Sequence, residues 1–172
     1  MRHPLSDAPR GAGVGPAAPR VLVIGVGNAY RRDDAAGLVM ARRLWEAARA
    51  EVTLWEAGGE GTALMDAWEG AEAVILIDAV RSGAPAGTIH RLDARVETLP
   101  AAWFRYSTHA FSVAEAIALA RALNRLPPRL IVFAVEGEHF DAGVGLSPEV
   151  ERAVDGLVRR GLEEVDRITR EV

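Results

Sequence analysis

Residues 21–44 read VLVIGVGNAYRRDDAAGLVMARRL: an apolar run, a glycine-containing turn, an acidic pair and an amphipathic segment. Residues 21–24 are apolar without interruption, which is typical of a strand buried on both faces of a parallel sheet. From Ala36 onwards, apolar residues recur at the spacing of one helix face, so a helix is predicted to follow. The stretch therefore predicts a first β-α unit with Asp33 and Asp34 near the carboxyl end of its strand.

The position of this acidic pair favours a cation over a dinucleotide. A G-x-G after a strand is half of the dinucleotide-binding fingerprint, but Tyr30 stands where the third glycine belongs. Adjacent carboxylates would also repel a pyrophosphate, which needs the positive end of the helix. A nucleotide-binding protein, with Glu56 as the acid that binds the ribose, is therefore the weaker alternative.

Length and composition predict one domain and a flexible leader. The chain has 172 residues, of which 49% are hydrophobic, which suffices for a single core. Residues 1–20 are rich in Gly, Ala and Pro and show no apolar period, so they are predicted to be a flexible N-terminal leader. Residues 21–172 are predicted to form the single domain.

Charge, cysteine usage and apolar runs narrow the class of partner. The net charge is −4, with 26% charged residues of mixed sign, so no nucleic-acid partner is expected. The absence of cysteine excludes disulfides, thiolate metal ligands and a cysteine nucleophile. No apolar run approaches the ~20 residues of a membrane span, so no membrane partner is expected, and the expected location is cytoplasmic.

A second carboxylate is predicted to approach the first. Residues 73–77, AVILI, indicate a buried strand, and Asp78 follows directly. Asp after a strand is most often a turn or cap residue. Asp78 and Asp34, however, occupy corresponding places past central strands, where open α/β sheets bind ligands. Two desolvated carboxylates repel each other, so either one holds a proton or both hold a cation.

His109 is the third candidate. It follows Ser107 and Thr108 and precedes a predicted helix over residues 110–126. If either hydroxyl caps that helix, His109 lies in its first turn, where the positive helix end keeps imidazole neutral and able to bind a metal. The alternative is that His109 only contributes to the cap.

The remaining pattern completes an α/β fold. Strands are predicted at residues 52–55, 88–92 and 130–135, with helices at residues 62–68, capped by Thr62 and ended by Gly70, and from Ser147-Pro148-Glu149 onwards. The order β-α-β-α-β-β-α-β-α predicts a three-layer α/β/α sandwich with a mostly parallel twisted sheet of about five strands. Glu136 and His139 are expected to line the crevice without binding metal, and His90 to belong to its strand's polar pattern.

Four segments, in this order and spacing, resemble the hydrogenase maturation endopeptidases: GVGNAYRRDDAAG, LIDAV, STHAFSVAEAIALA and GVGLSPEV. The resemblance implies a protease that removes a C-terminal peptide from the large-subunit precursor of nickel-iron hydrogenase. It also implies a three-layer fold. Finally, it implies that Asp34, Asp78 and His109 are the catalytic residues and that all three contact a divalent metal.

The implied metal is nickel, which the precursor would supply, because two carboxylates and an imidazole suit such a borderline ion. No serine, cysteine or threonine dyad is visible, so water is the expected nucleophile of this aspartyl-type protease. Either Asp34 or Asp78 could be the general base. A non-enzymatic nickel carrier or checkpoint protein using the same three ligands is the alternative function.

Overall fold

The computed structural model describes residues 20–48, 51–58, 61–105 and 111–171. Apart from Arg20, the predicted leader therefore lies outside the described residues. The strands are β1 (Val21–Val26), β2 (Thr53–Ala57), β3 (Ala73–Val80), β4 (Ile89–Asp93) and β5 (Arg129–Glu136). The α-helices are α1 (Ala36–Ala47), α2 (Gly61–Trp68), α3 (Val113–Ala122) and α4 (Pro148–Arg170), and short 3-10 helices span Arg32–Ala35 and Ala101–Phe104. The predicted order of strands and α-helices is confirmed.

The five strands form one sheet in the order β2-β1-β3-β5-β4. The first four in that order run parallel, and β4 pairs antiparallel with β5 at the edge. The prediction of a mostly parallel sheet of about five strands is thus confirmed. Because β1 and β3 are parallel neighbours, their carboxyl ends lie side by side, with Gly25 opposite Ile77.

Helices cover both faces of the sheet, as predicted. All eight residues of β3 are buried, which requires an apolar layer on each side. One core contains Leu22 and Ile24 together with apolar residues of α2 and α3. The other contains Val21 and Val23 together with apolar residues of α1 and α4. The architecture is therefore a three-layer α/β/α sandwich.

The third strand is longer than the apolar run that predicted it. β3 continues to Val80 because β5 pairs with it along its whole length, including Asp78 opposite Ala134. Asp78 consequently lies within the strand, and the prediction that it follows the strand is wrong. Because Asp78 pairs with β5, the sheet fixes the position of its backbone and of its Cβ atom.

The start of α3 also differs from the prediction. Ser112 is the N-cap: its side chain accepts from the backbone of Glu115 at 3.3 Å, and the Glu115 carboxylate accepts from the Ser112 backbone at 3.0 Å. This reciprocal capping box satisfies two free amides, which neither Ser107 nor Thr108 would do for this helix. The helix begins at Val113, so the prediction that His109 lies in its first turn is wrong.

Smaller differences concern α2 and the end of α3. α2 begins at Gly61, so Thr62 lies inside the helix and not before it. Gly70 follows the helix with φ 81°, a left-handed conformation that suits its predicted role as a stop. α3 ends at Ala122, four residues before the predicted end at Leu126.

The loop that follows β5, residues 137–147, is fastened to the turn after β1 by Asp33. One carboxylate oxygen of Asp33 accepts from the backbone of Glu138 at 2.8 Å, the backbone of His139 at 2.9 Å and the hydroxyl of Ser147 at 2.7 Å. The other oxygen accepts from the Ser147 backbone at 2.7 Å. Ser147 is the N-cap residue of α4, as predicted, but its hydroxyl donates to Asp33 and does not cap the helix.

The charge of Asp33 is stabilised although the side chain is fully buried. Burial alone would raise the pKa of Asp33, but the hydrogen bonds from His139, Ser147 and Glu138 outweigh it and lower the pKa below its usual value. Asp33 is therefore an ionised anchor between two loops that are distant in the sequence.

The approach of α1 to the sheet gives a test of the packing. A Cβ atom on Gly37 would lie 2.2 Å from the carbonyl oxygen of Val26 and 2.4 Å from that of Ile77. We expect Gly37→Ala to lower the free energy of unfolding by about 1–3 kcal/mol, because backbone atoms must shift to admit the methyl group. Urea unfolding measures this change.

Gly156→Ala is the matched control, since a Cβ there would lie 4.0 Å from the Ile89 side chain, an ordinary van der Waals contact. Alanine favours the helix by up to about 1 kcal/mol, so this variant should be as stable as the wild type or more stable. Equal stability changes in the two variants would contradict the packing described for α1.

The Asp33 anchor gives a second test. Asp33→Asn replaces one accepting oxygen by an amide group that cannot accept, so buried donors lose their partner. At pH 7 the free energy of unfolding should therefore fall by about 1–3 kcal/mol. Because the pKa of Asp33 is lowered on folding, its stabilisation is present above about pH 4 and is lost as the pH falls through the lowered pKa. The difference in the free energy of unfolding between the wild type and Asp33→Asn should therefore become smaller in acid.

Asp141→Asn is the control in the same loop. The Asp141 side chain is 69% exposed and pairs with Arg32 at 3.3 Å, so its neutralisation should cost less than about 1 kcal/mol. If Asp33→Asn were as mild as Asp141→Asn in urea unfolding, Asp33 would not be the anchor of the loop.

Candidate active site

Asp34 and Asp78 reach the same region from neighbouring strands. Asp34 belongs to the 3-10 helix after β1, and Asp78 lies in β3; they are only 6% and 4% exposed. The backbone of Asn28 donates to the Asp34 carboxylate at 3.1 Å. Gly27 makes this turn possible: it has φ 152°, and a Cβ there would lie 1.9 Å from the carbonyl oxygen of Asp34.

The two carboxylates influence each other electrostatically. Burial, and then the charge of Asp34, raise the pKa of Asp78 well above its usual value; a hydrogen bond from the backbone of Ala79 opposes this but is weaker. Two carboxylates in a desolvated region are most stable when they share a proton or a bound cation. Such a pair can move a proton to and from a reacting group, or contribute two oxygen ligands to a metal.

His109 lies outside the described residues, within residues 106–110. The structure therefore brings together two of the three residues predicted for the site. Within the ranges that the structure describes, His, Asp and Glu side chains form no group of three or more that could hold a metal ion. A metal site that includes His109 stays a prediction.

Glu136 contacts the loop that follows β3. It is 2% exposed, and its carboxylate accepts from the Ser82 backbone at 2.8 Å, the Ser82 hydroxyl at 2.7 Å and the Gly83 backbone at 3.1 Å. Nε2 of His90 lies 3.5 Å from the same carboxylate, and the His90 and Trp103 rings contact each other with centroids 4.7 Å apart and their planes tilted by 41°. Glu136 thus orders the loop beside the candidate site.

Two residues of the site's surroundings had roles that the sequence pattern did not indicate. His139 contacts the first turn through its backbone, since its carbonyl accepts from the Asp33 backbone at 2.9 Å. Ser147 pairs with Asp33 across more than a hundred positions of sequence. The adjacent residues Asp33 and Asp34 suggest a joint role in the sequence. No local pattern indicates that Asp33 anchors a distant loop whereas Asp34 acts electrostatically on Asp78.

The dinucleotide alternative finds no support in the geometry. Glu56, its ribose-binding acid, pairs with Arg42 of α1, whose Nη2 donates to the carboxylate at 3.0 Å. The turn after β1, where a pyrophosphate would have to bind, is occupied by the 3-10 helix that carries Asp33 and Asp34.

Among the described residues, no helix has the length and apolar character needed to cross a membrane.

Comparisons with known proteins agree with one another. A family model described as HycI, hydrogenase maturation protease, matches residues 39–164, a range that includes Asp78 and begins after Asp34. The chain is 30% identical over 149 residues to the hydrogenase expression/formation protein HupD of Thiocapsa roseopersicina, covering 84% of this chain and 67% of HupD. It is 29% identical over 148 residues to the hydrogenase 2 maturation protease of Escherichia coli strain K12, covering 83% and 88%.

The fold is similar to that of a solved member. The hydrogenase maturating endopeptidase HybD from E. coli superposes with a TM-score of 0.67 over 86% of this chain and 93% of HybD, at 24% identity. At this identity the likeness speaks for the fold alone, and the family assignment comes from the sequence matches. The chain therefore belongs to the hydrogenase maturation protease family, whose members are endopeptidases that hydrolyse a peptide bond.

Proposed function

We propose that this protein removes a C-terminal peptide from the large-subunit precursor of a nickel-iron hydrogenase after nickel has been inserted, acting in the cytoplasm. The observation that carries the proposal is the buried pair Asp34 and Asp78 at the carboxyl ends of two central strands, with a raised pKa at Asp78. Coupled carboxylates of this kind cluster at functional sites. Family membership supplies the reaction class.

Nickel enters this proposal as part of the substrate. The donor set fits it, because Asp34, Asp78 and His109 would offer two carboxylates and an imidazole to a borderline divalent ion whose other ligands stay on the precursor. A cation between the two carboxylates would remove the repulsion that their burial creates. An empty precursor would lack that attraction and bind weakly, so cleavage would report that the metal centre is complete.

The same pair can serve the hydrolysis itself. The backbone of Asn28 donates to the Asp34 carboxylate, and burial together with the charge of Asp34 raises the pKa of Asp78. We assign Asp34 as the general base that takes a proton from the attacking water and then, as general acid, gives it to the leaving amine, while Asp78 contributes to holding the cation beside it. The water oxygen bonds to the scissile carbonyl carbon, and the carbon–nitrogen bond breaks.

Neutralising the pair tests the proposal. Asp34→Asn and Asp78→Asn should each reduce processing of the nickel-loaded precursor by about 100-fold or more, because the general base or a metal contact is lost. Intact mass spectrometry of the precursor after incubation, with and without nickel, measures the shortened product. Asp66→Asn is the control, since its side chain is 78% exposed on α2.

Normal processing by Asp78→Asn would rule out this site. Wild-type protein that binds nickel-loaded precursor but never shortens it would instead favour the non-enzymatic carrier. Cleavage that is equally fast without nickel would remove the metal from the proposal while leaving the protease.

The buried charge also predicts a change in stability. Because folding raises the pKa of Asp78, its contribution to stability is fully present below about pH 4 and is lost as the pH rises through the folded-state pKa. In a chelator at pH 8, Asp78→Asn should therefore unfold at a higher urea concentration than the wild type, and the gap should close in acid. A variant that is less stable than the wild type at pH 8 would contradict the desolvated pair.

A further inference from the structure

Two exposed apolar side chains lie beside the candidate site. Within the described ranges the large hydrophobic residues that are exposed are Tyr30, Val96, Leu119, Leu123 and Val144. Tyr30 is 74% exposed and Val144 is 79% exposed, and they belong to loops that contact each other. The backbone of Gly143 donates to the Tyr30 carbonyl at 2.9 Å, so the two residues are close in space although far apart in sequence.

These loops are held in place. Residues 31 and 143 form a parallel β-bridge, and the backbone of Arg32 donates to the Gly143 carbonyl at 3.1 Å. The same two loops are joined by the Asp33 anchor, with four hydrogen bonds to its carboxylate. Apolar side chains on a preordered base lose little entropy when a partner covers them, which is a property of binding surfaces.

Tyr30 is linked to Asp34 by hydrogen bonds through one residue, Asn28. The Tyr30 backbone donates to the Asn28 side chain at 2.9 Å, and the Asn28 backbone donates to the Asp34 carboxylate at 3.1 Å. A chain lying on Tyr30 and Val144 would therefore pass near Asp34. Arg32 at the margin of this apolar surface is paired with Asp141 at 3.3 Å, so the surface does not favour an anionic ligand.

We propose that Tyr30 and Val144 form a docking surface for an apolar segment of the precursor that flanks its scissile bond. This inference rests on the proposed function and adds the part of the enzyme that recognises the polypeptide and not the metal. A second copy of this chain is the less suitable occupant, because two side chains fall far short of the roughly 1,200 Å² that a stable interface buries.

The test separates binding from chemistry. Tyr30→Ser and Val144→Ser should each raise KM for the nickel-loaded precursor by about tenfold, because each removes an apolar contact made equally before and during the reaction. The kcat value should stay within about twofold of the wild type. The double variant should lose more binding than either single variant.

Val96→Ser and Leu123→Ser are matched controls, since these side chains are 80% and 54% exposed and belong to other parts of the chain. Both should leave KM unchanged. Unchanged KM in Tyr30→Ser and Val144→Ser, or an equal rise in the controls, would overturn the docking surface. A dimer in sedimentation experiments that Tyr30→Ser dissociates would assign the surface to a second copy and overturn it as well.

Calorimetric titration of the precursor keeps this inference distinguishable from the proposed function. Wild type that binds the precursor about tenfold tighter than Tyr30→Ser, yet never cleaves it, would refute the protease proposal and support the docking surface. Wild type that cleaves the precursor while Tyr30→Ser binds it equally well would refute the docking surface alone.

Discussion

The repulsion between two buried carboxylates is the constraint on which this site depends. Asp34 and Asp78 are almost completely buried, and the charge of one raises the pKa of the other. Bringing two like charges together in a desolvated region is destabilising. The binding and catalytic role that we propose for the pair explains why the fold keeps it.

The two aspartates of the first turn divide the work. Asp33 is saturated with hydrogen bonds from residues 138, 139 and 147 and keeps its charge by them. Asp34 accepts from the Asn28 backbone, and its charge contributes to the raised pKa of Asp78. The same 3-10 helix thus anchors the loop after β5 through Asp33 and carries Asp34, the base that we propose. Glu136 has a comparable role in the loop after β3, where its carboxylate accepts hydrogen bonds from the backbones of Ser82 and Gly83.

Much of the fold could be predicted from the sequence because its signals are local. The uninterrupted apolar runs of β1, β3 and β5 and the helical spacing of α1 and α4 gave the element order, and the order implied the layers. What local signals could not give was the extent of pairing. Asp78 lies inside β3 because β5 continues opposite it, and no residue pattern near Asp78 reports that.

The same limit applies to the site. The proximity of Asp34 and Asp78 could be predicted from the sequence, because the carboxyl ends of parallel strands lie at the same edge of a sheet. The anchoring role of Asp33 could not be predicted, since its hydrogen-bond partners are more than a hundred residues away and Ser147 resembles an ordinary helix cap. The sequence predicts too early a start for α3, because Ser107 and Thr108 are plausible caps, whereas the Ser112 and Glu115 capping box decides where the helix begins.

The most direct test is the titration of the Asp78 carboxyl carbon by NMR in protein labelled at aspartate and freed of metal. The pKa of Asp78 should lie well above that of an ordinary aspartate, and Asp34→Asn should lower it, because the charge of Asp34 contributes to the shift. An Asp78 that titrates like an exposed aspartate, or one whose pKa does not respond to Asp34→Asn, would contradict the coupled pair on which the account rests.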